Sequence, residues 1–184
     1  MNVTTQLRDA IARGELSTTD LTARKVAAHV GRSTSLVYHH YGSLDGLLHA
    51  VAQEGYALLG ERLLGALDGG LPALARAYVR FGLDYPELYR LMFERRYDWE
   101  ALRARGACAD SPGMGLWNQA IAVLAEAGSR APEADARVLL GGLHGTVSLA
   151  LSGRANVGDL SRSDRDVALH TAGRLAALIT GASS

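Results

Sequence analysis

The chain is poor in several residues that would announce a chemistry. It has one cysteine in 184 residues, so Cys108 excludes an intramolecular disulfide and a thiolate metal cluster. As a catalytic thiol, Cys108 lacks a base and an electropositive setting in the sequence around it. Lys25 is the only lysine, and arginine carries the rest of the positive charge. Nineteen basic residues balance nineteen acidic ones, so no global basic field announces a nucleic-acid partner. Residues 1 to 45 are only marginally basic: Arg8, Arg13, Arg24, Lys25 and Arg32 stand against Asp9, Glu15, Asp20 and Asp45. No apolar run approaches the ~20 residues of a membrane span, and MNVTTQLRDA has no apolar core of signal-peptide length. A cytoplasmic location with no membrane partner is therefore expected. The six histidines form no HExxH and have no cysteine partners, and there is no phosphate-cradling glycine loop or GxSxG elbow. The expectation is no catalytic residue, no metal and no cofactor.

What is abundant is alanine, leucine and glycine. Nearly half the residues are apolar but only 6% are aromatic, which suits an all-α protein with a substantial core. The most informative stretch is TARKVAAHVGRSTSLVYHHYGSLDGLL, residues 22 to 48. Leu21, Thr22 and Val26 fit a hydrophobic staple around an N-cap, so a helix starts after Thr22. Gly31 suits the left-handed position that ends it, and Ser33 can cap a second helix over Thr34 to Tyr41. Ala27, Gly31 and Val37 carry helix-turn-helix spacing: a small contact residue, a turn glycine and a core anchor. With Val37 and Tyr41 inward, Thr34, Ser35, Tyr38 and His39 face out. Short hydroxyls can reach base edges in a major groove, and Tyr38 and His39 can donate to phosphates. The same spacing also fits an ordinary helical hairpin with a polar outer face.

LTARKVAAHVGRSTSLVYHHYGSLDGLLHAV closely resembles the DNA-binding segment of TetR-family transcriptional regulators, which runs approximately T-x-x-x-I-A-x-x-A-G-V-S-x-G-x-L-Y-x-H-F-x-S-K-x-x-L. Thr22, Val26, Ala27, Gly31, Ser33, Val37, Tyr38, His40, Ser43 and Leu47 match it or differ conservatively. The departures are Arg32, Ser35, Tyr41 and Leu44, and Leu44 replaces the lysine that often opens the fourth helix. That change removes a phosphate contact and leaves backbone amides at that helix start. The resemblance implies a three-helix DNA-binding domain over 1–45 and a helical ligand-binding and dimerisation domain over 46–184. Its DNA contacts would be Thr22, Arg24, Lys25, Ser33, Thr34, Ser35, Tyr38, His39 and the start of the helix at Leu44.

Around this segment the helices follow one another. Leu7, Ala10 and Ile11 mark a first helix ended by Gly14, and Ser17 to Asp20 read as a polar connection. Ser43 caps a long helix running to about Leu67; in the TetR resemblance it is the fourth, which changes the separation of the two reading heads. Leu74, Tyr78, Phe81 and Tyr85 repeat at helical spacing, and Pro86 opens PELYRLMFE. Tyr78, Phe81, Tyr85, Tyr89, Met92 and Phe93, with Trp117 and His144 further on, can fill a core or line an apolar ligand pocket. Residues 94 to 112 are charged and then small, with no clear apolar period, and read as a mobile connector with a helical turn around Trp99 to Arg105. Further helices are expected over Gly113 to Ala127, Pro132 to Ser152 and, after a capping box at Ser163 and Asp166, as far as Thr180. In all, about nine helices are expected.

YPELYRLMF followed by GGLHGTVSLALSG is similar to the C-terminal domain of TetR regulators named for a Trp-His-Gly motif, here Leu143-His144-Gly145. The family resemblance implies a homodimeric regulator, a repressor released from a palindromic operator on double-stranded DNA by a small apolar or aromatic effector. The Ala- and Gly-rich surfaces of the last two helices would form the dimer. The alternatives are a DNA-binding architectural or adaptor protein without an effector, and an all-helical enzyme.

Overall fold

The structure is a computed structural model that describes residues 2–106, 111–158, 160–179 and 181, without the side chains of Leu36 and Val37. Cys108, Thr180 and the inward-facing role expected of Val37 lie outside the described residues. Among them are ten α-helices, two 3-10 turns and no strand: α1 (Val3–Ala12), α2 (Ala23–His29), α3 (Thr34–Tyr41), α4 (Leu44–Leu64), α5 (Gly70–Asp84), α6 (Pro86–Phe93), α7 (Trp99–Ala104), α8 (Pro112–Glu126), α9 (Pro132–Leu151) and α10 (Asp164–Ile179). The 3-10 turns are Thr18–Asp20 and Leu67–Gly69. No helix among the described residues is long and apolar enough to cross a membrane.

The chain forms two compact units, residues 1–58 with 85–114, and residues 59–84 with 115–184. The first unit thus holds α1–α3, the greater part of α4, α6 and α7. In the first unit Leu7, Ala10 and Ile11 of α1 are fully buried, and Gly14 (φ 72°) closes the helix while the Glu15 amide donates to the Ala10 carbonyl at 2.9 Å. The 17–20 connection is anchored rather than merely polar. Thr18 donates its amide (2.9 Å) and its hydroxyl (3.1 Å) to one carboxylate oxygen of Glu87 on α6. Burial alone would raise the Glu87 carboxyl, but the two Thr18 donors and Arg90 outweigh it and hold the group below the ordinary carboxylate range.

A depressed carboxylate stabilises the fold above its unfolded pKa, and that contribution is lost as pH falls through the folded value. Glu87→Gln should therefore lower stability most near neutral pH, and the gap should close in acid. Urea unfolding of both proteins across the carboxylate range checks this; a gap constant with pH would refute it.

Residues 94–106 are packed, not free. Tyr97 and Leu102 are buried, the Tyr97 hydroxyl donates to the Leu91 carbonyl at 2.9 Å, and Arg95 pairs with Asp45 in the first turn of α4 at 2.7 Å. Their apolar residues are too few and too irregularly spaced among charges to show a period in sequence. His49 of α4 is also buried, with the rings of Tyr97 and Trp99 edge-on at 5.7 and 5.8 Å. Burial pushes this imidazole's pKa down and favours the neutral form. Gln53 accepts from the Gly113 amide through Oε1 (3.1 Å), which leaves its NH2 to donate to His49 Nε2 at 3.1 Å.

In the second unit α5 packs on α10 and α9. Its buried face is Ala75, Tyr78, Val79, Phe81 and Gly82. The helix ends at Asp84, so Tyr85 does not continue its stripe but precedes α6 as the N-cap residue. On α10 the buried small residues are Ala168, Ala172, Gly173 and Ala176. A Cβ on Gly142 of α9 would meet Leu175 at 3.1 Å, so glycine there allows the close approach of α9 and α10. The small-residue face of α10 thus belongs to the packing of α5, α9 and α10. The capping box forms as expected, with Ser163 Oγ accepting from the Asp166 amide at 3.1 Å.

Candidate nucleic-acid interface

The helix-turn-helix is built by local rules. Thr22 caps α2 by accepting from the Lys25 amide at 3.2 Å, while Leu21 and Val26 are buried on the inner side. At its end Gly31 takes φ 63°; the Arg32 amide donates to the Ala27 carbonyl (3.0 Å) and the Gly31 amide to the Ala28 carbonyl (3.4 Å). Those two bonds are the Schellman pattern, which lets the chain reverse within three residues and start α3 at Thr34.

On α3, Thr34, Ser35, Tyr38, His39 and His40 are exposed, and Tyr38 is 53% exposed although it is a large aromatic. Ser33 before the helix is exposed, as are Thr22, Arg24 and Lys25. Tyr41 is half-buried. The expected recognition residues therefore share an open surface whose chemistry is hydroxyl, phenol and imidazole. The Ser43 hydroxyl accepts from the Gly46 amide at 2.9 Å and caps α4, whose first residue Leu44 is half-buried.

Two glycines shape the corner between α3 and α4. Gly42 has φ 74° and receives the Arg105 guanidinium where a Cβ would stand. Gly46 lies against the Tyr41 carbonyl, again in the space of a Cβ. Sequence reasoning missed Gly46 and Arg105, since no local period reports a contact to backbone or to a residue 63 positions away.

The eight residues expected at a ligand pocket divide between the units. Tyr85, Tyr89, Met92 and Phe93 belong to the first, and Tyr78, Phe81, Trp117 and His144 to the second. Tyr89 stacks on Phe93 at 4.7 Å in a tilted arrangement, and Tyr56 meets Phe93 edge-on at 5.4 Å. The Tyr56 hydroxyl donates to the Met92 carbonyl at 2.8 Å, and burial pushes its pKa up to about 12. In the second unit the Arg137 guanidinium lies 5.5 Å above the Trp117 ring. Tyr78, Phe81, Tyr89 and Met92 are buried, whereas Tyr85, Phe93, Trp117 and His144 are half-buried.

The fold and this surface define an all-helical protein with an exposed helix-turn-helix. Residues 71–181 match the family model described as tetracyclin repressor-like, C-terminal domain, and the chain belongs to the tetracycline repressor-like family of transcriptional regulators. That description names no Trp-His-Gly class. A solved structure described as a protein with unknown function from Rhodococcus sp. RHA1 is similar over 97% of this chain and 95% of that one, with a TM-score of 0.66 and 20% identity. At that identity the likeness is one of fold alone. No curated protein matches the chain.

Proposed function

We propose that the chain is a homodimeric, ligand-responsive DNA-binding regulator without enzymatic activity, acting in the cytoplasm as a repressor that leaves a palindromic operator when a small apolar or aromatic effector binds. Residues 1–45 are the DNA-binding domain and 46–184 the effector and dimer domain. The observation that carries this reading is the open face of α3, where Thr34, Ser35, Tyr38 and His39 stand exposed on a helix fixed by the Gly31 turn. Thr34, Ser35 and Tyr38 read bases; Thr22, Arg24, Lys25, Ser33, His39 and the amides at Leu44 hold the backbone.

The dimer forms through the last two helices. Support comes from α9, where Val138 and Leu149 are exposed and a Cβ on Gly141 or Gly145 would meet nothing within 4 Å, and from exposed Leu178 on α10. A two-fold pair sets recognition helices about 34–36 Å apart. The effector is taken up in 46–184: in the first unit half-buried Tyr85 and Phe93 beside the better-packed Tyr89 and Met92, and in the second half-buried Trp117 and His144 beside the better-packed Tyr78 and Phe81, are its candidate contacts, each unit by itself. An effector that favours the arrangement unable to bind DNA shifts the population away from it.

Tyr38→Ala should weaken operator binding by about 1–3 kcal/mol with unchanged thermal stability, because the ring is exposed. Fluorescence titration of wild type and variant with the best bound fragment tests it. Equal affinity would remove Tyr38 from the interface.

A further inference from the structure

We infer that Arg105, at the end of α7 and outside the helix-turn-helix in sequence, is a phosphate-contacting residue of the DNA interface. The inference deepens the DNA-binding reading and rests on it. The segment 94–106 brings two arginines to the α3–α4 corner. Arg95 is neutralised there by Asp45 at 2.7 Å. The Arg105 guanidinium lies in the space a Cβ would fill on Gly42, the residue directly after α3, and Arg105 is exposed. Among the described residues nothing accepts a hydrogen bond from that guanidinium and no carboxylate pairs with it.

A recognition helix seated in a major groove carries its flanking turns past the phosphates at the groove edge. Gly42 is such a flank. Position 44 carries Leu44, which offers no cation, and Ser43, whose Oγ accepts from the Gly46 amide, offers only a neutral hydroxyl. A guanidinium beside Gly42 with no carboxylate partner among the described residues supplies a positive charge with donors suited to a phosphate. Glycine at 42 serves both ends: it takes the positive φ that ends α3 and leaves room for the guanidinium to reach the corner.

A purely structural role is the competing account, since a cation near the C-terminus of α3 also stabilises the helix dipole. The two roles differ in what they move. A phosphate contact releases a counterion, so its loss flattens the salt dependence of binding by about 0.9 in slope and weakens every sequence alike. Loss of a dipole partner lowers thermal stability and leaves that slope unchanged.

The test uses the full chain and a mixed-sequence duplex of about 30 base pairs, titrated over a range of salt concentrations. Wild type is compared with Arg105→Ala, Arg105→Lys and Arg130→Ala, the last removing an exposed arginine of the second unit. Arg105→Ala should bind about fivefold more weakly at low salt with a slope smaller by about 0.9, Arg105→Lys should keep the slope, and Arg130→Ala should behave as wild type. A wild-type slope in Arg105→Ala, or an equal loss in Arg130→Ala, overturns the assignment. A wild type that binds no duplex at low salt overturns the DNA-binding reading itself, and the role of Arg105 with it.

Discussion

Tyr89→Ala is expected to destabilise the protein by about 3–5 kcal/mol, the range for removing a large buried aromatic side chain. Tyr89 has no exposed surface and stacks on Phe93 at 4.7 Å. Neighbouring Leu88 and Leu91 are equally buried, so α6 has little freedom to collapse into the space left behind. The expectation also separates the two roles that an aromatic cluster can play. A residue lining an open pocket loses little stability when truncated, and its removal shows up in effector affinity. A residue filling the core shows the reverse. Urea unfolding of Tyr89→Ala beside Phe93→Ala, whose ring is only half-buried, gives the comparison: the first loss should be the larger. A loss under about 1 kcal/mol for Tyr89→Ala would mean the ring is not part of the core.

Gly46→Ala is the second large effect, and its sign is opposite to intrinsic preference. Within a helix alanine is favoured over glycine by about 1 kcal/mol. At Gly46, however, a Cβ would run into the carbonyl of Tyr41, a backbone atom that cannot swing aside. Overpacking of this kind costs about 1–3 kcal/mol, and relief requires α3 to move away from the start of α4. Because α3 carries the recognition surface, both stability and DNA affinity should fall. Gly115→Ala on α8 is the matched control: a Cβ there meets nothing within 4 Å, so it should be neutral or stabilising by up to about 1 kcal/mol. If the two variants proved equally stable, the close contact at the α3–α4 corner would be wrong.

The parts of this protein legible in sequence are those fixed by neighbours in the chain. Thr22, Gly31 and Ser43 each act within three to five residues, through a cap, a Schellman turn and a second cap, so the boundaries of α2, α3 and α4 follow from residue type and spacing. Pro86 and the Ser163–Asp166 pair mark helix starts for the same reason. What escaped sequence reading depends on distant partners. Thr18 meets Glu87 across 69 positions, so a connection that reads as polar is a buried joint. Tyr97 and Leu102 sit among arginines and acids without a period, and only the packed fold makes them core. Tyr85 continued an apolar spacing that the chain breaks at Pro86, because the residue before proline disfavours the helical region. The small residues of α10 were legible as a close-packing surface, but alanine and glycine carry no mark of whether the partner is α5 or a second subunit. On the recognition helix Thr34, Ser35, Tyr38 and His39 are exposed as expected, and His40 is exposed with them.

The most direct test of the central claim is selection of bound fragments from the source genome by the purified full chain, followed by titration of the best fragment at two salt concentrations. A regulator of the kind proposed enriches a roughly palindromic site, binds it as a dimer, and loses affinity as salt rises. Enrichment without sequence preference would contradict the regulator reading and favour an architectural DNA-binding protein, and absence of binding at low salt would contradict a DNA-binding role altogether.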